Sequence, residues 1–189
     1  MNFKIITLTA ALAPIAAAPS YALTKAEHSE ATSLLSVDRK AALERCAPLA
    51  GNAKSLCKIE AKGEYDIARA DLDAKYKPSA KANYNLRAER AHVAYSIAKA
   101  RCGDLASGAK DVCLTDSKAA HVAALADAKV SKVSTEAKAT DVKKVAEARK
   151  DAAEDKSDAM YASAKERCDL LTGDTKQTCH ADAKVKFGR

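Results

Sequence analysis

The chain has no tryptophan, two phenylalanines and only six glycines among 189 residues. Large aliphatic side chains are scarce as well. Past residue 22, Leu, Ile, Val and Phe number 26 of 167, about 16% and below the roughly 20% at which a globular core becomes doubtful. The apolar share of 48% looks ordinary because alanine supplies 44 residues of it. Two outcomes remain, disorder or helices with thin cores. Ala, Glu, Lys, Leu and Arg make up 91 of those 167 residues, the proportion typical of long helices. These are also the best helix formers, so helix is the expectation.

Other absences bear on function. With few glycines and no strand signal, an enzyme cleft is difficult to build. No G-x-S-x-G, H-E-x-x-H or phosphate-binding glycine loop occurs. The lack of C-x-x-C argues against a low-pKa redox thiolate and against the close cysteine pairs of zinc sites. Haem attachment lacks its C-x-x-C-H. Acids at helical spacing, such as Asp151/Asp155 and Glu154/Asp158, read as a solvated face rather than a catalytic pair. No charge of one sign dominates. Past residue 22 there are 31 basic and 25 acidic residues, interspersed, for a net +6. That balance gives a mild preference for anionic partners and no basic stripe for nucleic acid. No catalytic residue, cofactor or metal is expected.

What is present begins at the N-terminus. Residues 1–22 read MNFKIITLTAALAPIAAAPSYA, with Lys4 ahead of an apolar run, Ile5–Ala18, and small Ser20 and Ala22 at −3 and −1. That is the three-part layout of a secretory signal peptide. The run is shorter than the ~20 residues that span a bilayer and is interrupted by Pro14. Removal after Ala22 is therefore expected, rather than retention as an anchor, and no later segment is apolar enough to span. A mature chain from Leu23, periplasmic or secreted, follows. An oxidising compartment and an even count of six cysteines both suit disulfides.

The cysteines lie in a motif met three times. It reads RCAPLAGNAKSLC at Arg45–Cys57, RCGDLASGAKDVC at Arg101–Cys113 and RCDLLTGDTKQTC at Arg167–Cys179. An acid follows three residues later (Glu60, Asp116, Asp182), and a lysine two beyond it (Lys62, Lys118, Lys184). Agreement at so many columns reads as a structural repeat. Within each copy, Gly51-Asn52, Ser107-Gly108 and Gly173-Asp174 suit a left-handed helix stop followed by a helix start. Pro48 fits if the first helix ends near Cys46.

The intervals are helical too, with apolar stripes such as Ala61, Tyr65, Ala68, Leu72 and Tyr76. Asp71/Lys75 and Asp73/Lys77 are expected as i,i+4 pairs. Six helices are predicted, over 24–46, 53–76, 79–102, 109–132, 139–168 and 175–187. They form hairpins 23–77, 78–137 and 138–189, separated at Pro78 and near Ser134 in the Ser/Thr/Val-rich stretch Val130–Asp141. The fold class is all-α. An up-down bundle with all three cysteine turns at one end is preferred over an elongated antiparallel coiled-coil rod.

Cysteines flanking a helix–helix turn can face each other, so the expected pairs are Cys46–Cys57, Cys102–Cys113 and Cys168–Cys179. Closing a loop of about 12 residues is worth roughly 3 kcal/mol, a large share of the stability of a thin-cored protein. The sharper alternative is a thiol-based metal or oxidant buffer. Of the histidines, His180 alone adjoins a cysteine, while His28, His92 and His121 are expected to face solvent. Tyr65, Tyr76, Tyr84, Tyr95 and Tyr161 are expected to fill space between alanine-lined helices.

At the level of R-C-x-x-L-x-G-x-x-K-x-x-C with Ala/Lys/Asp-rich spacers, the chain resembles a group of exported proteobacterial proteins. These are mostly uncharacterised, and are often labelled as similar to the Ala/Lys-rich helical middle region of the Tol envelope protein. The resemblance implies an exported helical protein without a defined activity. The expected role is non-enzymatic, structural or binding, in the cell envelope, with an envelope protein or an anionic envelope surface as partner.

Overall fold

The computed structural model describes residues 23–189, and the expected signal peptide at 1–22 lies outside the described residues. The described residues form six helices and no strand: α1 (Lys25–Arg45), α2 (Gly51–Tyr76), α3 (Ala80–Arg101), α4 (Ser107–Glu136), α5 (Val142–Asp169) and α6 (Gly173–Phe187). A 3₁₀ turn at Cys102–Asp104 follows α3.

Local chemistry starts and stops these helices. Thr24 opens α1 with a reciprocal cap: its hydroxyl accepts from the Glu27 N–H at 3.2 Å, and the Glu27 carboxylate accepts from the Thr24 N–H at 2.7 Å. The backbone bond from Thr24 holds the Glu27 carboxyl below its ordinary range. α2 stops at Tyr76, just before Pro78, and the Ser79 hydroxyl caps α3 by accepting from the Ala82 N–H at 3.0 Å.

Five expected boundaries move by two residues or more, the start of α5 among them, at Val142 instead of 139. α2, α4 and α6 each begin two residues earlier than predicted, at Gly51, Ser107 and Gly173. Gly51 and Gly173 are left-handed (φ +56° and +58°), but they open the second helix of each hairpin instead of closing the first. The first helices of the first two hairpins end on right-handed residues, Cys46 and Cys102, whose N–H groups bond back to helix carbonyls. α4 also continues past Ser134 to Glu136, and the Thr135 hydroxyl bonds back to the Ser131 carbonyl within it at 2.8 Å. The reversal falls at Ala137–Asp141, where the Asp141 carboxylate accepts from the Lys138 N–H at 3.0 Å.

The chain reverses at Pro78 and again at Ala137–Asp141, giving the up-down alternative and not the rod. Substantial packing among the described residues joins only consecutive helices, α1 on α2 through to α5 on α6. The array is therefore open: α1 and α6 form its two edges and do not pack on each other.

A helix squeezed between two neighbours presents small residues along both contact lines. Thus Ala61, Ala74, Ala88, Ala91, Ala126, Ala128, Ala148, Ala152 and Ala183 are buried, with Val93, Gly63 and three cysteines, and among the described residues no leucine or isoleucine is. The tyrosines do not fill this core, contrary to expectation. All five are half-buried beside the contact lines. The Arg39 guanidinium sits over the Tyr65 ring at 4.9 Å, and Tyr76 stacks on His28 at 4.4 Å. Alanine, not tyrosine, supplies most of the side chains buried between the helices.

Candidate functional site at the stapled turns

Each motif copy supplies one cysteine at the end of one helix and another as the seventh residue of the next, nearly two turns in. The disulfides are Cys46–Cys57, Cys102–Cys113 and Cys168–Cys179, with Cα–Cα separations of 5.7, 5.7 and 5.5 Å. These separations sit at the preferred value for an unforced bridge. Cys46, Cys102 and Cys168 are the largest fully buried side chains of the described residues, at 0, 0 and 1% exposure, whereas their partners are half-buried. The staples thus replace a core at the turn end.

The motif lysines brace two of the turns. Lys54 Nζ donates to the Ala47 carbonyl at 3.0 Å, and Lys176 pairs with Asp169 at 2.8 Å. Ala47 and Asp169 each follow the first cysteine of their copy. His180, read from the sequence as the one histidine beside a cysteine, turns to Asp169 as well, at 3.1 Å. The Lys176 ammonium and then the His180 ring hold the Asp169 carboxyl below its ordinary range.

The three turns lie side by side at one end of the array. Asn52 Nδ2, in the first, donates to the Ala100 carbonyl at 2.9 Å and to Asp104 Oδ2 at 2.6 Å, in the second. Gly108, at the position matching Asn52, lies so close to Leu170 of the third turn that a Cβ would collide with the leucine side chain. No family model, curated protein or solved structure matches the chain.

The chemistry of the turns is cohesive. Among the described residues no cysteine is free and no three His, Cys, Asp or Glu side chains gather as a metal-holding group. What the sequence reading missed is the use of the flanking Arg and acid columns. Arg101 pairs with Glu60 at 3.1 Å, and Arg167 pairs with Asp116 at 2.7 Å. Each arginine reaches the acid of the preceding copy, and buried Ser163 also bonds Asp116 and Arg167. A second row repeats the logic further along: Arg90–Asp71 at 3.7 Å, and Lys156–Asp127. The recurring acids and arginines were visible as columns, but nothing in one copy says that the pair crosses to the next.

His28 and His121 are half-buried instead of facing solvent, while His92 is exposed as expected. His28 bonds Asp73 at 2.7 Å, taking the acid that was expected to pair with Lys77. The expected Asp71/Lys75 pair forms, at 2.6 Å. His121 Nε2 and His92 Nδ1 are 2.9 Å apart, and Tyr95 stacks on His121 at 4.8 Å. Partial burial, and then the neighbouring His92, hold the His121 imidazole below its ordinary range.

Proposed function

We propose that the chain is an exported, non-enzymatic helical protein with a structural or binding role in the cell envelope. The observation that carries this reading is the set of three disulfides closing three consecutive hairpins. Such bonds persist in oxidising compartments, and a chain whose buried residues are mostly alanine depends on them for stability. The signal-like layout of residues 1–22 points the same way. No described helix is long and apolar enough to cross a membrane. The partner in this reading is an envelope protein or an anionic envelope surface, met by the +6 charge of residues 23–189.

Intact-mass analysis of the protein from its native compartment is the test. A chain starting at Leu23, six hydrogens lighter than its reduced form, supports the reading. Retention of residues 1–22 in the cytosol would overturn it. Several titratable thiols in freshly isolated protein would point to a thiol-based metal or oxidant buffer instead.

A further inference from the structure

The two open edges of the array carry the two halves of its internal joint. At each internal seam, the arginine preceding the first cysteine of one copy pairs with the acid three residues past the second cysteine of the copy before: Arg101 with Glu60, Arg167 with Asp116. The same two columns continue to Arg45 on α1 and Asp182 on α6. Both are exposed, and neither has an ion-pair partner among the described residues. One edge thus holds an unused cation and the other an unused anion, at matching positions.

Apolar contacts follow the same register. Gly63, six residues past Cys57, packs against Val93, nine residues before Cys102, with no room for a methyl group between them. The corresponding edge residues are Val185, six past Cys179, and Val37, nine before Cys46. They are 83% and 65% exposed, among the most exposed large apolar residues described. Leu34 stands on α1 where α3 and α5 carry Arg90 and Lys156, and it too is exposed. The outer line of α1 therefore runs Leu34, Val37, Ala41, Arg45, one face of a helix.

We infer that a second copy of this chain docks α1 edge to α6 edge, placing its Arg45 on Asp182 and its Val37 against Val185. The occupant is argued from complementarity. The charged columns of the two edges are the halves of a joint the chain already makes twice; with Val185 where α2 has Gly63, the helices of this joint stand further apart than α2 and α3. It joins two different surfaces, so it does not close on itself as a two-fold dimer but propagates into rows. α6 has 15 residues against 26 in α2 and 30 in α4, so the joint is shorter than the internal seams. Association is accordingly weak, concentration-dependent and lessened by salt.

The proposal deepens the structural reading given above and rests on it in using the oxidised, stapled chain. Its test is sedimentation velocity of the oxidised protein over rising concentration, with Arg45→Asp, Asp182→Arg and the double variant. The expected result is growth of dimers, trimers and longer species for the native chain. Each single reversal should weaken association about tenfold or more by setting like charges opposite. An equimolar mixture of the two single variants, and the double variant alone, should restore it, because every joint again meets opposite charges. Native protein that stays monomeric at all concentrations overturns the proposal, as does a closed dimer indifferent to the reversals. Helix content and thiol count on the same samples keep the two readings apart. A stapled helical monomer removes self-association alone, whereas unpaired thiols or lost helix remove the structural reading itself.

Discussion

Val93 of α3 rests directly on the backbone of α2 at Gly63, and the space between them does not admit a methyl group. This contact sets how closely the first two hairpins approach. Gly63→Ala gains up to about 1 kcal/mol of helix propensity but overpacks the seam, at a cost of about 1–3 kcal/mol. The expected outcome is a lower thermal midpoint. Val93→Ala in the same chain should recover part of the loss, because the two substitutions couple through one contact. Thermal unfolding followed by circular dichroism, on both singles and the double, checks this. Additive losses would show that the contact does not limit the approach.

The staples should dominate stability. Replacing Cys102 and Cys113 together by alanine is expected to remove about 3 kcal/mol, from a loop of about 12 residues. Summed over three such loops, that is of the same order as the whole stability of a small domain. Full reduction should therefore collapse the far-ultraviolet helix signal near room temperature. A reduced chain with an unchanged spectrum and midpoint would mean that the alanine contact lines suffice by themselves.

The bonds from Asn52 to the Ala100 carbonyl and Asp104 are the polar link between the first two turns. Asn52→Ala should cost about 1–2 kcal/mol, and Asn52→Asp more, since it sets a carboxylate against Asp104. The midpoint of urea unfolding reads the difference. Equal midpoints for the two variants would place the contribution elsewhere.

Stability should fall as pH drops through the histidine range. Burial, with help from His92, holds His121 below its ordinary value, so the folded protein prefers the neutral ring. That contribution is complete above about pH 6.5, the unfolded value, and is lost as pH falls toward the folded one. Tyr95 and His92 are the neighbours in contact with this ring. His121→Gln is expected to flatten the dependence of thermal midpoint on pH between about 8 and 5. The carboxyls of Glu27 and Asp169 are held low, so they act only in more acidic solution and do not enter this window. An unchanged slope in the variant would assign the effect to another group.

The all-α fold, the six helices and the pairing of cysteines across each turn were legible in the residues alone. Alanine-rich helix formers, two turn-forming stretches and a motif met three times all act over short distances along the chain. Pro78 likewise marked a reversal, because proline acts on its own backbone. The boundaries around Gly51, Gly173 and Ser134 shifted by a few residues, since caps depend on which hydrogen bonds the turn finally makes. Tertiary structure alone decided that the helices form an open single layer, that alanine and not tyrosine fills the seams, and that Arg101 and Arg167 reach acids of the copy before. Those outcomes rest on the distance between helix axes and on contacts about 40–50 residues apart along the chain. Periodicity within one helix cannot state which neighbour its face will meet.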